Sequence, residues 1–79
     1  MNMDWENVND EFLQKKFEFP NFVDALDFVN KAGEICEIQD HHAEFTLSWG
    51  QVIVKTWSHD VGRITDRDTK LADAIDKVY

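Results

Sequence analysis

The chain has 79 residues, of which 16 are acidic and 8 are basic, and its formal net charge is −8. That length allows one domain, which buries only about 60–65% of its unfolded surface, so a partner subunit would add stability. Hydrophobic residues make up 43% of the chain and aromatic residues 13%, which excludes a disordered protein. The negative charge argues against nucleic acids and anionic membranes as partners.

The N-terminal sequence MNMDWENVND is acidic and has no apolar core of the kind found in signal peptides. No apolar run approaches the roughly 20 residues that span a bilayer. The single cysteine, Cys36, cannot form an internal disulfide, which suits a reducing compartment. We therefore expect a cytoplasmic protein with a single domain over residues 1–79 and a buried or half-buried structural thiol at Cys36.

The first half of the chain predicts a β-hairpin followed by a helix. The segments DWENVN and EFLQKKFEF have strand character and meet at Asn9-Asp10, although the alternation in the second segment is imperfect. Asn21 is expected to cap a helix that runs from about Phe22 to Glu37. The expected apolar stripe of this helix comprises Phe22, Ala25, Leu26, Val29, Ala32 and Cys36, and Phe28 and Ile35 lie off it.

The second half predicts another hairpin and a second helix. AEFTLSW and QVIVKTWSH flank Trp49-Gly50, where Gly50 is expected to supply the positive φ of a tight turn. A capping box from Thr65 to Asp68 starts the last helix. The expected inner stripe of that helix comprises Leu71, Ala72, Ile75 and Val78. The order β-β-α-β-β-α predicts an α+β two-layer sandwich, a four-stranded antiparallel sheet with both helices packed on one face.

The hairpin register predicts that all three histidines of the chain meet at one end of the sheet. If Ser48 faces Gln51, the continued ladder places His42 opposite Trp57 and His41 opposite Ser58, with His59 just beyond. Imidazole is the side chain that titrates near neutral pH, so such a cluster favours a proton-transfer site.

Two other interpretations of the histidines remain open. Three histidines with nearby carboxylates can bind zinc, although adjacent histidines on an extended segment point to opposite faces and ligate one metal awkwardly. The cluster can also be purely structural, with the paired histidines in a hydrophilic loop.

The spacing of Glu37, His41, His42, Trp49, His59 and Asp68 resembles the signature of the pterin-4a-carbinolamine dehydratase family. The segment SHDVGRITDRDTKLADAID is similar to the family's own motif around its last histidine, and the likeness extends from Trp5 onward. Two positions depart from the family pattern: Ala43 stands in place of proline, and Ser58 in place of threonine.

The resemblance implies a hydro-lyase that dehydrates 4a-hydroxytetrahydropterin to quinonoid dihydropterin. It implies His41, His42 and His59 as catalytic residues, Glu37 and Asp68 as carboxylates that orient the imidazoles, and Trp49 as an aromatic substrate contact. It implies no metal and no cofactor, and a homodimer or higher homo-oligomer. Relatives of this fold also serve as dimerisation, assembly or transcriptional cofactor modules, so a non-catalytic role is the alternative.

Overall fold

A computed structural model describes residues 4–79; residues 1–3, at the start of the acidic N-terminal segment, lie outside the described part. The elements are β1 (Glu6–Val8), β2 (Phe12–Glu18), α1 (Phe22–Gln39), β3 (Glu44–Ser48), β4 (Gln51–Thr56) and α2 (Asp66–Asp76). The strands form one antiparallel sheet in the order β1-β2-β4-β3, and the two helices pack together on one face. The predicted α+β sandwich is confirmed. Neither helix in the described residues is long and apolar enough to cross a membrane.

The turn between β1 and β2 forms at Asn9 and Asp10, as predicted. Both residues have positive φ, 54° and 61°, which asparagine and aspartate tolerate better than most residues. The N–H of Glu11 donates to the carbonyl of Val8 at 2.9 Å and closes the turn.

The imperfect alternation of β2 reflects a lysine on its inner face. Leu13, Lys15 and Phe17 share that face, and Leu13 and Phe17 are buried in the core. The Lys15 ammonium lies 4.8 Å from the Phe17 ring centroid and donates to Asp76 Oδ1 at 2.8 Å. Asp76 ends α2, so this ion pair attaches the C-terminal end of that helix to the sheet.

Helix α1 starts at the predicted cap, because the Asn21 side chain accepts the Asp24 N–H at 2.8 Å. The expected apolar stripe needs correction. Phe28 is buried against Phe17, with ring centroids 4.6 Å apart, whereas Phe22 and Leu26 are 42% and 40% exposed. The residues that face the sheet are Ala25, Phe28, Ala32 and Cys36, which follow the helical period more closely. Burial raises the pKa of the Cys36 thiol, as expected of a structural cysteine.

The β3–β4 register is the predicted one from Ser48↔Gln51 to Glu44↔Lys55. The role expected of Gly50 was wrong, since Gly62 is the glycine with positive φ among the described residues. A Cβ at Gly50 would lie 3.0 Å from the carbonyl oxygen of Phe19, and the Gly50 carbonyl accepts the Phe19 N–H at 2.9 Å. Glycine is needed here because two backbones approach closely, not because the turn is left-handed.

We expect alanine to have opposite effects at Gly50 and Gly33. Gly50→Ala should lower the free energy of unfolding by about 1–2 kcal/mol, because its Cβ forces β4 away from Phe19. Gly33→Ala should raise it by about 0.5–1 kcal/mol, because Gly33 lies within α1 and a Cβ there meets no atom within 4 Å. Urea denaturation of both variants measures the two changes, and an unchanged midpoint for Gly50→Ala would contradict the steric argument.

Candidate active site

The chain reverses sharply between α1 and the paired histidines. Asp40 follows the helix with φ 51° and ψ 43°, in the left-handed region. The Asp40 N–H donates to the Glu37 carbonyl at 3.3 Å and the His41 N–H to the Cys36 carbonyl at 3.1 Å, which is the Schellman pattern. The helix therefore ends at Gln39, two residues later than predicted, and the reversal directs His41 toward α2.

The paired histidines do not join the β-ladder, which corrects the predicted facing pairs. The ladder stops at Glu44↔Lys55, so His41 does not face Ser58 and His42 does not face Trp57. Instead, Ser58 forms an isolated bridge with Arg63. The reason is the reversal at Asp40, which leaves residues 41–43 outside the strand.

A buried carboxylate, Asp68, holds this end of the molecule together. Its side chain is fully buried in the first turn of α2. Oδ1 accepts hydrogen bonds from Thr56 Oγ1 at 2.6 Å and His41 Nε2 at 2.5 Å. Oδ2 accepts from Ser58 Oγ at 2.8 Å and from the Thr65 N–H at 2.9 Å. One carboxylate therefore joins β4, the segment after α1 and the start of α2.

The hydrogen bonds decide the protonation state of Asp68. Burial raises the pKa of this carboxyl, but hydrogen bonds from Thr56, His41, Thr65 and Ser58 outweigh it, and the pKa lies below its usual value. Asp68 is thus ionised at neutral pH and acts as an acceptor only, so His41 Nε2 carries a proton. His41 is buried and fixed in one orientation.

His42 has a different environment from its neighbour. Its Nε2 is hydrogen-bonded to Glu37 Oε2, and both side chains are largely exposed. Glu37 lies in the last turn of α1, so the reversal at Asp40 also creates this pair. A carboxylate on one ring nitrogen orients the imidazole and leaves Nδ1 available to a ligand.

His59 has no carboxylate partner in the described residues. Its ring packs against the Trp57 ring, with centroids 4.4 Å apart. The loop that carries it is closed by hydrogen bonds from the Ser58 N–H to the Arg63 carbonyl and from the Gly62 N–H to the Ser58 carbonyl, at 3.0 and 2.8 Å. Neither ring nitrogen of His59 forms a hydrogen bond with another side chain within residues 4–79.

The three histidines line one cavity of ≈ 370 Å³. Its lining residues are Asp40, His41, His42, His59, Asp60 and Arg67. Of the other candidate residues, Glu37 and Asp68 hydrogen-bond the histidines, but Trp49 is 70% exposed at the β3–β4 turn, at the opposite end of the hairpin. A second copy of the chain would be required to bring Trp49 to this cavity.

Sequence reasoning missed three of the lining residues and the hydroxyl donors to Asp68. Arg67 Nη2 donates to Asp60 Oδ1 at 2.7 Å, and this bond lowers the pKa of the Asp60 carboxyl. Thr56 and Ser58 were detectable in principle, because they continue the alternation of buried positions in β4, Thr56 as its last residue and Ser58 two residues later. Across residues 4–79, no group of three or more His, Cys, Asp or Glu side chains is arranged to hold a metal ion.

Residues 1–78 match the family model described as "Pterin 4 alpha carbinolamine dehydratase". A protein from Rubrobacter xylanophilus is 36% identical over 74 residues, which cover 94% of this chain and 69% of that protein. A protein from Rickettsia canadensis is 41% identical over 73 residues, which cover 92% of this chain and 67% of that protein. Both bear the name "Putative pterin-4-alpha-carbinolamine dehydratase".

Two solved structures are also similar. A "transcriptional coactivator/pterin dehydratase" from Brucella melitensis has a TM-score of 0.89 at 27% identity, covering 96% of this chain and 82% of its own. A "pterin dehydratase-like protein" described as a RuBisCO assembly factor in the alpha-carboxysome has a TM-score of 0.80 at 14% identity, covering 98% and 90%. The second likeness is one of fold alone.

We expect Asp68→Asn to lower the free energy of unfolding by about 3 kcal/mol or more at pH 7, because an amide cannot accept all four hydrogen bonds. Asp66→Asn, at an exposed position in the same first turn, is the matched control and should change stability little. The pKa of Asp68 is lower in the folded protein than in the unfolded chain. Its contribution to the free energy of unfolding is therefore complete above the unfolded pKa of about 3.9, and it is lost as the pH falls through the folded pKa. Urea denaturation from pH 7 to pH 2 should show the stability difference between the wild type and Asp68→Asn narrowing below about pH 4. A constant difference would contradict an ionised Asp68.

Proposed function

Because the chain belongs to the pterin-4-alpha-carbinolamine dehydratase family, we propose that it dehydrates a 4a-hydroxytetrahydropterin to the quinonoid dihydropterin. The observation that carries this proposal is the cavity on which three histidines converge, two of them hydrogen-bonded to carboxylates. We also propose that the protein is cytoplasmic, as the sequence predicts, and that its small-molecule partner is a pterin.

The proposed reaction needs two proton transfers. The lone pair of the nitrogen next to the carbinol carbon forms a C=N bond while the C–O bond breaks. An acid protonates the departing oxygen, which leaves as water, and a base removes a proton from nitrogen. Imidazole can fill either role near neutral pH, and neither step requires a change of oxidation state.

The environments of the histidines support different roles for them. His42 is exposed and its partner Glu37 holds the ring through one nitrogen, so we assign direct proton transfer to His42. His41 is buried and its Nε2 proton is committed to Asp68, which suits a residue that orients the ligand by hydrogen bonding. His59 has two free ring nitrogens and can hydrogen-bond the leaving oxygen or the pterin ring.

A second candidate function is a non-catalytic assembly or coactivator module. Of the two similar structures, the one at 27% identity is described as a transcriptional coactivator as well as a pterin dehydratase, and the one at 14% identity as a RuBisCO assembly factor. The retention of both carboxylate–histidine pairs around one cavity favours catalysis, because an assembly surface does not need them.

The proposed homodimer would form at β3. This strand is paired on one side only, with β4, and therefore presents unpaired backbone groups at the edge of the sheet. Phe45 and Leu47 on β3 are only partly buried against the core, and a second copy would cover this edge.

We expect the purified protein to accelerate the loss of freshly generated 4a-hydroxytetrahydropterin, as measured by stopped-flow ultraviolet absorbance. The rate and the melting temperature should survive prolonged chelation, because the proposed steps are proton transfers. A well-folded sample without acceleration would favour the assembly module. Activity that disappears with removal of stoichiometric zinc would favour the metal site instead.

We expect His42→Ala to lower kcat by about 10²- to 10⁴-fold, the usual contribution of a general acid–base group, while circular dichroism stays unchanged. Glu37→Gln should lower kcat less, and Glu34→Gln, one turn earlier on α1, is the matched control that should leave kcat unaltered. His59→Ala should also raise KM if its ring holds the pterin. Folded alanine variants of all three histidines with near-wild-type rates would exclude the dehydratase mechanism.

We expect light scattering at high micromolar concentration to give a mass well above the 9.3 kDa of one chain. Thr46→Lys on β3 should shift the equilibrium toward the monomer, because a charge on an edge strand opposes strand pairing. Gln14→Lys on the interior strand β2 is the control for added charge. A monomeric wild type would contradict the dimer.

A further inference from the structure

A second cavity, of ≈ 260 Å³, lies on the sheet face opposite the helices. Its lining residues are Glu11, Phe12, Lys55, Trp57 and Gly62. Phe12, Lys55 and Trp57 alternate in register with the buried residues Leu13, Val54 and Thr56, so their side chains point away from the core. Neither the proton-transfer chemistry nor the family signature uses this cavity.

The cavity combines aromatic walls with a cation. The Lys55 ammonium lies 4.1 Å from the Phe12 ring centroid and 5.7 Å from the Trp57 centroid. Glu44 is the register partner of Lys55, yet the ammonium lies within 4.0 Å of no carboxylate oxygen in residues 4–79. In a chain of net charge −8, Lys55 is held by ring faces and keeps its N–H donors for a ligand.

These groups specify the chemistry of an occupant. A flat ring can pack against Trp57 and Phe12, and an anionic group on that ring can accept a charge-assisted hydrogen bond from Lys55. Glu11 lines the same cavity and disfavours a second negative charge. The volume suits one ring rather than a large ligand.

We propose that this cavity binds an aromatic monocarboxylate. The site is in contact with the histidine cavity, because the Trp57 ring that lines it packs against the ring of His59. The carboxylate can therefore belong to a free molecule, or to a substituent of a pterin whose ring lies beside the histidines. The pterin substituent as occupant rests on the proposed dehydratase function, whereas the free carboxylate does not.

Benzoate is the probe for the site itself, with two-dimensional ¹H–¹⁵N NMR as the measurement. Benzoate should shift the Trp57 indole and Gly62 amide signals saturably, whereas benzamide and cyclohexanecarboxylate should bind at least about tenfold more weakly. Lys55→Met should weaken benzoate binding by a similar factor. Lys16→Met, on the same face of the sheet in β2, should leave it unaltered, and Lys55→Gln provides a second variant if the first does not fold. Equal binding of benzoate and benzamide, or a normal affinity in folded Lys55 variants, would overturn the proposal.

Pteroate, a pterin with a benzoate group on its C6 substituent, distinguishes the two sources. If the substituent is the occupant, pteroate should bind at least about tenfold more tightly than unsubstituted pterin, and Lys55→Met should abolish that gain. If a free carboxylate is the occupant, pterin and benzoate should bind together and pteroate should show no gain. Loss of dehydratase activity would leave the benzoate result intact, so the two proposals can fail separately.

Discussion

The fold at the cavity depends on one buried carboxylate with four hydrogen-bond donors. Ionised Asp68 is fully buried, and a charge in that position is costly unless every lone pair is occupied. The donors come from the end of β4 and the segment after it, from the segment after α1 and from the helix cap of α2. The same hydrogen bonds that keep Asp68 ionised also hold these segments in one arrangement, since no single segment supplies enough donors.

Two of these donors, Thr56 at the end of β4 and Ser58 just after it, lie in a segment that also carries two paired rings. Thr56 and Ser58 are buried and donate to Asp68, whereas Trp57 and His59 alternate with them in sequence and have their rings in contact. The hydroxyl of Ser58 donates to Asp68 and therefore accepts the Thr65 hydroxyl at 2.6 Å, which extends the network into the helix cap. The segment from Thr56 to His59 thus carries both the donors to the buried network and the paired rings.

The histidines differ in chemistry because their partners differ. His41 is fixed by a buried, ionised acceptor, His42 by an exposed one, and His59 has only a ring contact in the described residues. Proteins of this fold carry both dehydratase and assembly descriptions. The functional argument therefore rests on these side chains and not on the fold.

The sequence by itself determined the order of the elements, the Asn21 and Thr65 caps and the β3–β4 register, because turn chemistry and side-chain periodicity are local properties. It also indicated that the histidines gather at one end of the sheet. Only the tertiary structure decided how they do so: Asp40 takes a left-handed conformation that removes His41 and His42 from the ladder and gives each a different carboxylate. Local patterns cannot reveal the His41 pair, because Asp68 reaches that ring through the packing of α2 beside the end of α1. The same holds for Gly50, whose need for a small residue comes from the backbone of Phe19, and for Lys15, whose partner Asp76 lies at the far end of the chain.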